Sequence, residues 1–259
     1  MIRLIYYSLF PIMVVDCLNP LYKGRNTNSF RNFYSSKNNY DFGMYEPKSS
    51  PDTKQDFAES PILIQGGSLQ TWSYNYMDTE ELSVSISSSG RPTNCDIELW
   101  NGPNNTPMNI KTYIENGQEN PFKTIINRPN TPHTIAIRNT GHIEFPLTSS
   151  VIPYTKKFCP LNTYKSIIQG GALETWSFDG HCESVDVMID TDGRPINTRI
   201  ELMQGPNNYK QIIEVYSEDG YESPFWGIIT TPGPGCVIRI LNTATLEFPI
   251  YASVSENTV

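Results

Sequence analysis

The sequence predicts an all-β protein made of two tandem pseudo-repeat, antiparallel β-sandwich-like domains with low helix content. Three observations predict it. Apolar and polar residues alternate with a period of two, turn residues recur at roughly ten-residue intervals, and one module occurs twice in the same order.

The alternation defines the strands. Leu82, Val84 and Ile86 interleave with Ser83, Ser85 and Ser87, and Val185, Val187 and Ile189 repeat the pattern. Ile97 and Leu99, Ile135 and Ile137, and Ile238 and Ile240 share that period. It puts one apolar face on a core and one polar face outward. Gly90-Arg91-Pro92, Gly102-Pro103-Asn104-Asn105 and Asn116-Gly117 interrupt these runs with turn chemistry, as does Asp219-Gly220 further on. About eight short strands per copy follow, enough for a compact sandwich. No stretch of about ten residues combines a helical period with a cap.

The duplication sets the domain plan. Ile64-Gln65-Gly66-Gly67-Ser68-Leu69-Gln70-Thr71-Trp72-Ser73-Tyr74 returns as Ile168-Gln169-Gly170-Gly171-Ala172-Leu173-Glu174-Thr175-Trp176-Ser177-Phe178, 104 positions later. After one deletion the offset is 103 and holds to the end. Gly90-Arg91-Pro92 matches Gly193-Arg194-Pro195, Ile97-Glu98-Leu99 matches Ile200-Glu201-Leu202, and Gly102-Pro103-Asn104-Asn105 matches Gly205-Pro206-Asn207-Asn208. Pro121-Phe122, Asn139-Thr140 and Glu144-Phe145-Pro146 recur as Pro224-Phe225, Asn242-Thr243 and Glu247-Phe248-Pro249. The expected division is a β-repeat over 59–152, a stiff linker over 153–163 and a second β-repeat over 164–259.

Composition narrows the function. The 259 residues carry a net charge of −8, which argues against a nucleic-acid partner, because neutralising phosphate takes clustered Lys and Arg. No apolar run approaches the ~20 residues of a spanning helix, so no membrane span is expected in the mature chain. Charge is uneven. Five cations against the single Asp16 give residues 1–40 a charge of +4, leaving −12 for the rest. A basic tip followed by the apolar Leu4 to Val15 reads as a signal-peptide-like segment over 1–17. Residues 18–58, basic and Asn/Ser-rich up to Tyr40 and turn-rich after it, read as a transit-peptide-like, flexible lead-in.

Catalytic signatures are weak. The five cysteines at 17, 95, 159, 182 and 236 form no C-x-x-C pair, which favours small buried thiols over a disulfide framework or zinc site. The three histidines, His133, His142 and His181, face Cys236, Thr245 and Met77 across the repeat, so none is shared. No metal-ligand spacing, nucleophile elbow or P-loop is present. No catalytic, cofactor or metal residue is assigned.

The repeated residues with side-chain chemistry are Trp72 and Trp176, Arg91 and Arg194, Glu98 and Glu201, and Glu144 and Glu247. The tryptophans read as core anchors, with a sugar-stacking platform or an interface anchor as the alternatives. The arginines follow a turn glycine, and an Arg–Glu bridge from turn to strand is expected. The Phe-Pro pairs suit edge strands, since proline cannot donate to a ladder. Two quasi-equivalent sandwiches on one chain permit side-by-side association without closure.

The ordered set Gly-Gly-x-Leu-x-Thr-Trp-Ser-[Tyr/Phe], Gly-Arg-Pro, Ile-Glu-Leu-x-x-Gly-Pro-Asn-Asn, Pro-Phe and [Ile/Leu]-Glu-Phe-Pro, present twice over residues 62–255, resembles the pyrenoid shell proteins (PyShell) of diatoms and related secondary-plastid algae. The resemblance implies a non-enzymatic, self-assembling protein that forms an extended homo-oligomeric sheet around the Rubisco matrix of the pyrenoid. It implies a place at the pyrenoid periphery in the chloroplast stroma, support for CO2 concentration and fixation, and shell paralogues and the Rubisco matrix as further partners. On the residues alone, a tandem carbohydrate-binding module and a hydrolase or carbonic anhydrase-like enzyme stay open as alternatives.

Overall fold

The computed structural model describes residues 60–74, 81–127, 131–154 and 165–257. The two leader segments and residues 155–163 of the expected linker lie outside them. The described residues belong to one compact unit.

Sixteen strands occupy the described residues, with no helix among them. The first repeat supplies β1 (Ile62–Ile64), β2 (Leu69–Tyr74), β3 (Glu81–Ser87), β4 (Thr93–Trp100), β5 (Met108–Ile114), β6 (Phe122–Asn127), β7 (His133–Asn139) and β8 (Leu147–Tyr154). The second supplies β9 (Ser166–Ile168), β10 (Leu173–Ser177), β11 (Ser184–Asp190), β12 (Ile196–Gln204), β13 (Tyr209–Ser217), β14 (Phe225–Thr230), β15 (Cys236–Asn242) and β16 (Ile250–Asn257). The expected eight strands per copy are present, and β8 runs two residues into the predicted linker. The alternation in sequence becomes alternation in burial: β3 and β11 bury Leu82, Val84, Ile86 and Val185, Val187, Ile189 and leave the residues between them half-exposed.

Within each repeat the chain crosses repeatedly between two sheets. The first repeat orders its strands β1-β8-β3-β6 in one sheet and β2-β7-β4-β5 in the other, and the second repeat follows the same rule. That order is a jelly roll, two four-stranded antiparallel sheets wound as Greek keys. The proline expectation is corrected here. Pro146 and Pro249 lie in the turns before β8 and β16, and both strands are second from the edge.

The halves do not stand apart as two separate sandwiches. β6 pairs with β14 and β5 with β13, so the chain forms two continuous eight-stranded sheets, β1-β8-β3-β6-β14-β11-β16-β9 and β10-β15-β12-β13-β5-β4-β7-β2. The register at this seam is symmetric. Thr124 pairs with Gly227 and Lys111 with Glu214, each pair separated by the repeat offset of 103. On either side Gln211 faces Ile114 while Ser217 faces Met108, again exchanging equivalent positions. At the axis each residue meets its own counterpart, and away from it every pairing recurs with the two halves exchanged, as in an isologous two-fold dimer. The pseudo-axis passes through Thr124/Gly227 in the first sheet and Lys111/Glu214 in the second.

Packing seals the seam. Phe122 and Phe225, equivalent and fully buried, flank the axis on the inner face of the first sheet. Gly227 leaves the space its own sheet neighbour needs: a β-carbon there would lie 2.7 Å from the Phe225 ring. Thr124 Oγ1 donates to the Trp226 carbonyl across the seam at 2.8 Å. One buried cluster runs from Ile64 in the first half to Ala252 in the second, and burial of each large aliphatic or aromatic side chain contributes about 1.5–3 kcal/mol. A shared core of this kind makes the halves fold as one unit. Differential scanning calorimetry should show one cooperative transition for the β region, and two resolved transitions would contradict a seam of this strength.

Candidate functional site

At the free end of each half, three words shared by both copies of the repeat meet at a buried asparagine. Asn139 and Asn242 close β7 and β15 and are 1% and 0% exposed. Asn139 Nδ2 donates to the carbonyls of Ile64 at 3.0 Å and Phe145 at 2.8 Å, and its Oδ1 accepts from the Gly141 amide at 2.9 Å. Asn242 repeats this with Ile168 at 3.0 Å, Phe248 at 2.8 Å and the Ala244 amide at 3.0 Å. The asparagine backbone holds the Gly-Gly turn as well: the Gly67 and Gly171 amides each donate to its carbonyl at 2.8 Å. Each amide side chain thus ties the end of an edge strand to the Glu-Phe-Pro turn and satisfies groups that water cannot reach.

The glycines admit that meeting. A β-carbon on Gly66 would stand 1.9 Å from the His142 carbonyl oxygen, and one on Gly170 would stand 1.8 Å from that of Thr245. Gly67 and Gly171 both turn the chain at φ +77°, a region that costs other residues dearly. So Ile-Gln-Gly-Gly is a backbone-contact motif.

The expected Arg–Glu bridge is corrected. Ser88 and Thr191 hydroxyls donate to the Arg91 and Arg194 carbonyls and pin the Gly-Arg-Pro turns. Arg194 Nη1 then reaches the Glu247 main-chain carbonyl at 2.6 Å, and the Arg91 guanidinium sits 5.6 Å from the centroid of the Phe145 ring. Both arginines therefore clamp the Glu-Phe-Pro turn, but through its backbone or its ring. The carboxylates of Glu144 and Glu247 point to solvent in exposed turns. Glu98 and Glu201 lie elsewhere, at mid-strand. Glu98 accepts from Trp100 Nε1 at 2.7 Å, and the buried Glu201 bridges Arg199 at 2.8 Å and Arg239 at 3.3 Å.

Trp72 is buried and Trp176 is half-buried against the core, so neither ring is an open stacking platform. His133 stacks on Tyr74 inside the first half, His142 meets Phe145 edge-on, and His181 is exposed. Among the described residues no group of three His, Cys, Asp or Glu is placed to hold a metal, and no helix is long and apolar enough to cross a membrane.

What the repeat comparison of side-chain chemistry missed is apolar. Leu63, Leu69 and Ile143 of the first half are exposed, and so are their counterparts Ile167, Leu173 and Leu246. Ile143 and Leu246, at the tips of the Glu-Phe-Pro turns, are 75% and 73% exposed. These triads sit at the two outer edges of the molecule, where β1 with β2 and β9 with β10 end the sheets. Single exposed aliphatics are ordinary on a surface. The same three positions exposed in both copies, at both unpaired edges, are a pattern.

Two jelly rolls fused edge to edge, with matching corners and matching apolar edges, define a tandem-repeat β scaffold. The model of the diatom pyrenoid shell protein family matches residues 53–256. The chain belongs to that family, and with it to the proteins of the pyrenoid shell. No curated protein matches this chain. Among solved structures, the crystal structure of the PBSX exported protein XepA matches at 10% identity, covering 76% of this chain and 85% of that chain, with a TM-score of 0.24. At that score it carries no argument about fold or function.

Two outcomes follow from the corner and the thiols. Asn242→Ala strands two buried carbonyls and an amide and should lower stability by about 3 kcal/mol, read as a shifted urea midpoint. Cys95, Cys182 and Cys236 are all buried, and burial first of all pushes each thiol up, with Asp96 adding to it at Cys95 and Glu256 at Cys182. The reactive thiolate is thereby disfavoured. Mass spectrometry after iodoacetamide treatment at mildly alkaline pH should find these three unlabelled in the native protein and labelled in urea.

Proposed function

We propose that this chain is a structural tile that self-assembles into the sheet-like shell around the Rubisco matrix, at the pyrenoid periphery in the stroma of a secondary plastid. It supports CO2 concentration and fixation without catalysing a reaction, and shell paralogues and the matrix are its further partners. The observation that carries the reading is the pair of equivalent apolar edges on a chain assigned to the pyrenoid shell family.

An unpaired edge strand offers a row of free N–H and C=O groups, which natural proteins either protect or use. In the first sheet the edge strands β1 and β9 are only three residues long, which limits indiscriminate pairing there, while β2 and β10, which end the second sheet, run six and five residues. Beside them the exposed aliphatic triads supply apolar area that a second molecule would cover. One chain carries two such edges facing away from a central seam. Contacts of this kind propagate and do not close, which is the requirement for an extended sheet. The net charge of −12 beyond residue 40 keeps unassembled tiles apart and makes assembly respond to salt.

Replacing Ile143 and Leu246 together by Asp should abolish sheets and tubes in electron micrographs of the purified protein while leaving its far-ultraviolet circular dichroism unchanged. Undiminished sheets from the folded double variant would show that the edges are not the assembly contacts.

A further inference from the structure

The outer face of the second sheet carries a row of charges that is complementary to itself. Arg138 on β7, Asp96 on β4, Lys111 on β5, Glu214 on β13 and Arg199 on β12 occupy directly paired register positions on five adjacent strands. All five alternate with buried neighbours, so they lie on the solvent side. Their signs alternate across the row. The seam falls between Lys111 and Glu214, and the pseudo-two-fold exchanges Lys111 with Glu214 and Asp96 with Arg199. The duplication kept the positions and inverted the charge in both of these pairs, while the outermost Arg138 is matched by the uncharged Leu241.

Within the chain this row is a string of cross-strand pairs, with Arg199 Nη1 and Glu214 Oε1 at 2.8 Å. Exposed pairs of that kind add little to the stability of a fold. The inversion has a second consequence. When a second copy is laid face to face about an axis parallel to the central strands, left and right exchange. Lys111 then meets the partner's Glu214, and Asp96 meets the partner's Arg199, each contact occurring twice. When the axis instead runs along the row, every charge meets its own kind. The neighbouring rows offer no like-charge clash in the first arrangement: Asn109 faces the partner's Tyr216 and Tyr113 faces the partner's Ile212. Two shallow hollows of about 240 and 310 Å³ flank the seam, one beside Tyr216 and Asn197, the other beside Tyr113 and Asn94. These pairs are repeat equivalents, so the relief of the face is two-fold as well.

We propose that this face docks on the same face of a second copy, about a two-fold axis parallel to β5 and β13, with Lys111 on the partner's Glu214 and Asp96 on the partner's Arg199. Removing water from these contacts strengthens them, and the charge pattern selects one of the two possible orientations. The pairing goes beyond edgewise assembly, because it stacks tiles into a second layer and uses none of the edge residues.

The test uses the full chain carrying Ile143→Asp and Leu246→Asp, so that edge contacts are silenced, at low salt in sedimentation equilibrium. A dimer is expected, weakened by high salt. Lys111→Glu or Glu214→Lys added singly should each weaken it on the order of tenfold or more. An equal mixture of those two variants should restore dimers, since each now complements the other, and both changes on one chain should restore them too. Rescue on mixing separates a contact between copies from a role inside one chain, which mixing does not repair. A monomer at low salt, unaffected single variants, or folded single variants that the mixture fails to rescue would each overturn the proposal. Sheets persisting in the Ile143→Asp, Leu246→Asp background would instead count against the edge contacts, so the two failures are distinguishable.

Discussion

The structure depends on one buried hydrogen-bonding hub in each half. Asn139 and Asn242 hold an edge strand, a Gly-Gly turn and a Glu-Phe-Pro turn together with the same bonds, to within 0.1 Å. A jelly roll crosses between its sheets at every one of these corners, and a corner exposes backbone groups that no ladder satisfies. A buried amide side chain with two donors and an acceptor answers that need at one point. Its demands explain the motif words. Gly66 and Gly170 are glycines because a carbonyl occupies the space of a β-carbon, and the arginines lock the third turn from outside.

The corner also bears on function. By fixing the Glu-Phe-Pro turn it holds Ile143 and Leu246 out in solvent at the extremities of the molecule. Ordering two exposed aliphatic side chains on rigid turns lowers the entropy lost when they are buried by a neighbour. The seam does the complementary work. It consumes the inner edges of both jelly rolls in a symmetric junction, leaving the outer edges free and equivalent. A duplicated chain of this design carries two equivalent outer edges that face opposite ways.

Much of the fold was legible in sequence. The period of two in Leu82–Ser87 and Val185–Ile189 located buried faces, the Gly and Asn turns located strand ends, and the repeat offset located the halves. What stayed hidden was long-range. Periodicity says that a strand has a buried face but not which of two sheets it joins, so neither the jelly-roll order nor the shared sheets could be read from it. The Arg–Glu bridge failed for a related reason: opposite charges in matching motifs suggest a pair, yet Arg194 chose the backbone oxygen of Glu247 over its carboxylate. Asn139 and Asn242 were visible as repeated letters, and a repeated Asn ending an apolar strand is the signal that marks them. The apolar triads escaped because repeated Leu and Ile read as core until their exposure is known.

The account's central claim is that the chain is a wall component of the pyrenoid. Imaging a fluorescent fusion of the full-length protein in living cells tests it most directly. A thin closed rim around the Rubisco matrix is the predicted result. A signal diffuse through the stroma, filling the matrix or leaving the plastid would contradict it.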